Sequence, residues 1–279
     1  MTIKNSIREI IQVLTIYAVL STSCNNNSEK GKRESAALDD NSSPQINYRV
    51  VNTFPHDTTA YTEGLLIHKG FLYEATGHTN SHPGSRSMFG IVNLSNGQID
   101  KKVEIDKSKY FGEGIAFLKD RVYQLTDTTH IGFIYDEKTY KKLGSFNYDG
   151  EGWGLTTNGS YLLMSNGTSI IYFRDASTFK IIKTLGVTDN NGPVPNINEM
   201  EFIKGYVYAN QWLTDYILKI DTGSGKVVGR LDLSPLKKEA KMKYPFAEEA
   251  NGIAYDSETN KIYVTGKLWP TIYEIQFVH

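Results

Sequence analysis

Five short steps, each opening a run of β-forming residues, recur along the chain at near-even spacing. They are Glu63-Gly64-Leu65, Glu113-Gly114-Ile115, Trp153-Gly154-Leu155, Asn198-Glu199-Met200 and Asn251-Gly252-Ile253, at intervals of 50, 40, 45 and 53 residues. Each leads into a similar strand pair: LLIHKGFLYEAT, IAFLKDRVYQLT, LTTNGSYLLMSN, MEFIKGYVYANQ and IAYDSETNKIYVTG. A period of roughly 40–50 residues with about four strands per unit marks a β-propeller. An all-β, five-bladed propeller is therefore expected. The innermost strands of a propeller line one channel, so residues just before them converge at one mouth. Glu63, Glu113, Trp153, Asn198 and Asn251 should then share a site.

The chain's 279 residues could make two average domains, but an all-β ring commonly runs this long as one. Its 24 glycines and 18 tyrosines suit a turn-rich β fold. A formal net charge of −1 gives no steering toward nucleic acid or bulk anionic lipid. The sequence contains no GxxxxGKS loop, paired CxxC or HExxH, which removes the chemistries those motifs carry.

The first residues read as a targeting segment. Lys4 and Arg8 precede an apolar stretch, Ile10 to Leu20, too short to span a bilayer stably. Ser21, Thr22 and Ser23 lead to Cys24, the one cysteine. Residues 1–24 resemble a bacterial lipoprotein signal, in which that cysteine becomes the lipidated N-terminus. The preferred Leu three residues before it is here Ser21; an ordinary secretory signal with an incidental cysteine is the alternative. A chain without a second cysteine has no disulfide use for Cys24. Residues 25–45 are rich in Asn, Ser, Lys, Glu and Asp without apolar periodicity, as a flexible linker would be. The propeller should fill 46–279. The expected location is the bacterial cell envelope, lipid-anchored or periplasmic, with membrane contact only through the lipid.

Within the blades, second strands are expected around Phe71–Tyr73, Val122–Gln124, Tyr161–Leu163, Val207–Ala209 and Ile262–Val264. Third strands are expected at Gly90–Leu94, Phe133–Asp136, Ile170–Arg174, Ile217–Asp221 and Thr271–Ile275. The first four blades show a turn and a fourth strand after these; the last does not. Tyr48–Val51 could supply it and close the ring, removing both sheet edges. SPLKKEAKMKYPFAEEA reads as one short helix with its lysines on a solvated face.

Read in order, F-P-H-D-x-x-A-Y-T-E-G-L, L-Y-E-A-T-G, F-G-E-G-I, E-G-W-G-L-T, N-E-M-E, A-N-Q-W, N-G-I-A-Y-D and V-T-G-K-L-W-P resemble the plant-type glutaminyl cyclases, or glutamine cyclotransferases, over roughly residues 46–279. The resemblance implies a five-bladed propeller that converts an N-terminal glutamine of a peptide or protein to pyroglutamate with release of ammonia, without zinc. Glu113 matches the family's catalytic carboxylate, and Trp153 and Trp212 match its pocket tryptophans. Asn198 and Lys267 match residues expected to hold the substrate amide and polarise its oxygen. The chemistry is consistent on its own terms. The α-amine must attack the side-chain carboxamide carbon while one carboxyl group takes its proton and returns it to the leaving ammonia. Donors must meet the growing oxyanion, and aromatic walls fold the glutamine back on its own amine.

Two positions depart from the family. Its first step usually reads Gln-Gly-Leu, where this chain has Glu63, and its L-T-W becomes Leu125-Thr126-Asp127. Glu63 and Asp127 are placed with the substrate-binding residues, where they make the mouth more anionic. They also motivate the main rival, a non-catalytic propeller binding a peptide or an envelope partner. A calcium-dependent, lactonase-like propeller is a second rival, opposed by Lys267 at the metal position. Glu151 and Glu201 read as turn and blade-packing residues, and His78 and His82 as ordinary loop histidines. No cofactor is required, no metal ligand is assigned, a structural calcium in a central cavity is left open, and a monomer is expected.

Overall fold

The computed structural model describes residues 43–279; the expected signal, Cys24 and most of the expected linker lie outside them. Strand β1 (Arg49–Pro55) opens the ring. Blade 1 holds β2 (Thr62–His68), β3 (Phe71–Thr76), β4 (Met88–Val92) and β5 (Ile99–Glu104); blade 2 holds β6 (Gly112–Leu118), β7 (Arg121–Thr126), β8 (Ile131–Asp136) and β9 (Lys142–Asn147). Blade 3 consists of β10 (Leu155–Thr157), β11 (Leu162–Met164), β12 (Ile170–Arg174) and β13 (Ile181–Gly186), followed by a small ribbon, β14 (Thr188–Asp189) and β15 (Gly192–Pro193). Blade 4 is β16 (Ile197–Ile203), β17 (Tyr206–Gln211), β18 (Tyr216–Asp221) and β19 (Val227–Asp232); helix α1 (Ser234–Lys243) then leads to β20 (Ala250–Asp256), β21 (Lys261–Gly266) and β22 (Thr271–Gln276) of blade 5. All pairings within blades are antiparallel.

The fourth strand of blade 5 is β1, paired antiparallel with β22 from Arg49↔Gln276 to Pro55↔Thr271. Closure thus extends beyond the four residues expected, and Phe54 packs on Tyr263 at 6.0 Å. Residues 43–46, mostly assigned to the linker, are already held against blade 4. Ile46 N donates to Arg230 O at 2.7 Å, Arg230 N to Pro44 O at 2.9 Å, and Ser43 Oγ to Val227 O at 3.3 Å.

The helix is shorter than the expected segment for a local reason. Tyr244 takes an extended conformation because it precedes Pro245, whose ring disfavours a helical residue before it. Leu236 and Ala240, four residues apart, are its buried contacts. The core is divided among apolar clusters between neighbouring blades. One packs Leu155, Leu162 and Met164 of blade 3 on Ala116, Tyr123 and Leu125 of blade 2.

The repeated step is where the fold makes a site. In β2, β6, β16 and β20 the register against the next strand shifts at the step: between Thr62 and Gly64, Gly112 and Ile115, Ile197 and Met200, and Ala250 and Ile253. The skipped residues are Glu63, Glu113, Asn198 and Asn251 with their neighbours. A bulge leaves its extra residue unpaired and re-aims the side chain. The glycines let the innermost strands meet: a Cβ on Gly114 would lie 2.5 Å from Leu155 N, and one on Gly154 2.2 Å from Asn198 O. Blade 4 has Glu199 where the others have glycine. Its buried carboxylate crosses the ring, accepting from Leu65 N (3.2 Å) in blade 1 and Ile253 N (2.9 Å) in blade 5.

Candidate active site

A cavity of about 210 Å³ opens at the end of the ring where the innermost strands begin. Tyr61, Glu63, Thr79, Phe111, Glu113, Asp127, Glu151, Trp153, Asn198, Trp212 and Lys267 line it. All seven catalytic and substrate-binding residues expected from the sequence are therefore brought together, from five blades. Asn251, expected beside them, lies beneath the floor. It is buried, and its Nδ2 donates to Glu63 Oε2 and to Thr62 O, both at 2.9 Å.

Lys267 follows β21 and reaches back over the ring to blade 1. Its Nζ donates to Glu63 Oε1 at 2.6 Å and sits 4.5 Å from the centre of the Tyr61 ring. Both partners are buried. Burial pushes the Glu63 carboxyl above its usual range, with Lys267 pulling the other way. For Lys267 burial lowers the pKa, but the Glu63 and Glu113 carboxylates outweigh it and hold it above the ordinary lysine value. The lysine is a fixed ammonium; Glu63 takes one of its donors and two remain.

Glu113 is only 5 % exposed, and its Oε2 has no hydrogen-bond partner among the described residues. Burial, then the charge of Glu63, raises its carboxyl well above the usual value. Asn198 is equally buried, with Oδ1 unpartnered. These two acceptors face a space whose aromatic walls are Trp153 edge-on to Trp212 (5.4 Å) and Tyr61 edge-on to Phe111 (6.1 Å). The space thus offers a proton acceptor, an amide acceptor and a fixed ammonium between aromatic faces.

Tyr61, Phe111 and Glu151 were missed as lining residues, although a signal for them exists. Each stands two places before a step residue (Glu63, Glu113 and Trp153), and residues two apart on an extended chain share a face. Glu151, read from sequence as a turn residue, accepts a hydrogen bond from the Trp153 indole Nε1–H at 3.0 Å. Glu201 keeps a packing role at the other end of the innermost strands, accepting from Tyr255 N and Thr156 Oγ1, both at 3.1 Å. His78 and His82 fasten their loop: the His78 ring meets Ser85 O at 2.7 Å, and the His82 ring meets Glu248 at 2.8 Å. Glu248 also accepts from Tyr61 OH at 3.0 Å. Among the described residues no group of three or more His, Asp or Glu side chains is arranged to hold a metal ion, so the geometry adds nothing to the calcium left open above.

Comparison with known proteins agrees with this geometry. The family model for glutamine cyclotransferase matches residues 16–277. A glutaminyl-peptide cyclotransferase of Arabidopsis thaliana is 37 % identical over 230 residues, covering 81 % of this chain and 70 % of the plant protein. The crystal structure of Myxococcus xanthus glutaminyl cyclase superposes with a TM-score of 0.76 at 31 % identity, over 85 % of this chain and 100 % of that one. Fold, cavity and sequence lead to one assignment: the chain belongs to the glutamine cyclotransferase family.

Proposed function

We propose that this cavity cyclises the N-terminal glutamine of peptides, acting as an aminoacyltransferase that moves the glutaminyl acyl group from ammonia to its own α-amine. The observation that carries the reading is the unpartnered, buried oxygen of Glu113 in one aromatic-walled cavity with the Lys267 ammonium. In this reading the aliphatic part of the glutamine lies against the wall that Trp153 and Trp212 form together. The carboxamide oxygen meets Lys267, whose free donors stabilise the charge that grows on it. Asn198 Oδ1 accepts from a substrate N–H and fixes the amide plane. Glu113, as carboxylate, takes a proton from the α-amine as its nitrogen bonds to the amide carbon. It then hands that proton to the departing nitrogen as the old C–N bond breaks, so ammonia leaves and the carboxylate is restored. The aromatic walls keep water away from the tetrahedral species and hold the amine against the carbonyl.

The decisive assay incubates the protein with a Gln-initiated peptide, with and without chelator, and follows ammonia release and conversion of the N-terminus to pyroglutamate. Chelator-insensitive release supports the reading. Binding without release would instead support the non-catalytic peptide-binding propeller.

The leader supports a lipid-anchored envelope enzyme, with Cys24 as the acylated residue ahead of a polar tether. Each buried acyl methylene contributes about 0.8 kcal/mol, so two or more chains anchor firmly. Cys24→Ala should release the protein from the membrane fraction in fractionated cells. Unchanged partitioning would refute the anchor.

A further inference from the structure

The cavity carries more negative charge than the proposed cyclisation uses. Four carboxylates line it, Glu63, Glu113, Asp127 and Glu151, against a single cationic side chain, Lys267. Lys267 is matched by Glu63 at 2.6 Å, and Glu113 is assigned to the α-amine. Asp127 and Glu151 remain without a task. Asp127 sits on the turn after β7, half-buried, with Oδ1 enclosed and unpartnered. Glu151 stands exposed beside it at the mouth, fastened through one oxygen to the Trp153 indole. The two are close enough to raise the Asp127 carboxyl, after the effect of burial itself. Next to them Trp212 is 36 % exposed, so an aromatic edge and two carboxylates form the outer rim together. The inner oxygens, Glu113 Oε2 and Asn198 Oδ1, line the same cavity, buried and without a hydrogen-bond partner among the described residues, so the space beneath this rim offers unmet acceptors to a ligand that donates.

We propose that the rim selects peptides whose residue after the N-terminal glutamine is Lys or Arg, with Asp127 and Glu151 meeting the cationic head. The inference rests on the cyclase reading. A peptide with its glutamine in the cavity must leave through this mouth, so its second side chain is the one presented to the rim. A lysine or arginine stem can lie along the Trp212 ring while its head reaches a carboxylate. An acidic second residue would face two like charges, and a neutral one would leave both carboxylates unmatched.

The test measures kcat/KM for Gln-Lys, Gln-Arg, Gln-Ala and Gln-Glu peptides of one further sequence, on the wild type and on the Asp127→Asn/Glu151→Gln double variant. The wild type should favour the basic peptides over Gln-Ala by about three- to tenfold, as partly exposed charge pairs allow. The preference should reside mainly in KM and shrink as salt rises. In the double variant the ratio of Gln-Lys to Gln-Ala should fall to about one, whatever happens to the Gln-Ala rate itself. Equal wild-type values for all four peptides would overturn the inference while leaving cyclisation standing. Should no peptide be turned over, fluorescence anisotropy of labelled peptides decides. Tighter wild-type binding of Gln-Lys than of Gln-Ala, lost in the double variant, keeps the rim assignment and removes the cyclase reading. Absence of turnover together with equal binding of Gln-Lys and Gln-Ala overturns both.

Discussion

Glu113→Gln is expected to lower kcat and kcat/KM for a Gln-initiated peptide together, by about 10²–10⁴, with the fold intact. The size is that of a lost general acid–base group, and equals about 2.7–5.5 kcal/mol of transition-state stabilisation. The substitution keeps shape and adds no charge to a buried position. Because Oε2 has no hydrogen-bond partner, the change breaks no bond there. KM should move little, since the amide still occupies the same volume. The pH profile offers a second check. Burial and the Glu63 charge hold the Glu113 carboxyl above the ordinary carboxylate value of about 4.3. The wild-type enzyme therefore gains activity as pH rises through that raised pKa, where the carboxylate that accepts the amine proton appears. In the variant this limb should vanish, leaving only the rise from deprotonation of the peptide amine. Near wild-type turnover by Glu113→Gln would move the base to another carboxylate, with Glu63 the nearest candidate.

The ring was legible in the sequence because its determinants are local. A glycine follows the step residue in four of the five blades and reports a close approach of strands, which needs only neighbouring residues to recognise. The exception shows the limit. Glu199 in a glycine position was visible as a broken pattern, yet its two acceptor contacts, to Leu65 N and Ile253 N, lie in blades remote in sequence. Convergence of Glu63, Glu113, Trp153 and Asn198 followed from ring geometry, whereas Trp212 and Lys267 came from the motifs shared with the family. The bond between Glu63 and Lys267 did not, since it joins residues 204 positions apart and depends on how far one side chain reaches over the floor. Asn251 failed as a lining residue for a related reason. Its bulge matches the others, but Glu63 and the Thr62 carbonyl lie within its reach and hold it below the surface.

That contact refines the meaning of the first departure from the family. Glu63 is an anchor for Lys267 rather than a free charge in the cavity, so it lowers the number of donors the lysine can turn to a substrate from three to two. Among the described residues Asp127 and Glu151 form no ion pair. The extra negative charge of this mouth is thus concentrated where a peptide leaves it.

The second large effect is on stability, at the seam where the ring closes. His56, just past β1, is buried with both ring nitrogens engaged: Nδ1 faces Trp269 O at 2.6 Å and Nε2 faces both Glu74 oxygens at 3.0 Å. A doubly protonated imidazolium can donate to both partners at once, the Trp269 carbonyl and the Glu74 carboxylate. Thr62 Oγ1 adds a bond to Glu74 at 2.7 Å. Burial pulls the His56 pKa down, but the Glu74 charge and hydrogen bond, helped by the Trp269 carbonyl, leave it raised overall. His56→Phe keeps most of the volume and strands a fully buried carboxylate, which should cost about 3–5 kcal/mol out of a total on the order of 5–15. Denaturant unfolding should show this as a lower midpoint at unchanged slope. The double variant His56→Phe/Glu74→Leu should recover most of the loss, because removing both partners leaves no uncompensated charge. The pH dependence has a definite sign. A histidine raised in the folded state contributes its full stabilisation below its unfolded pKa, about 6.5, and loses it as pH climbs through the folded value. The gap between wild type and His56→Phe should therefore be widest at or below about pH 6.5 and narrow above it. A gap under about 1 kcal/mol at pH 6, or one that widens toward alkaline pH, would mean the pair is not ionised and that ring closure rests on β1–β22 pairing and the packing of Phe54 alone.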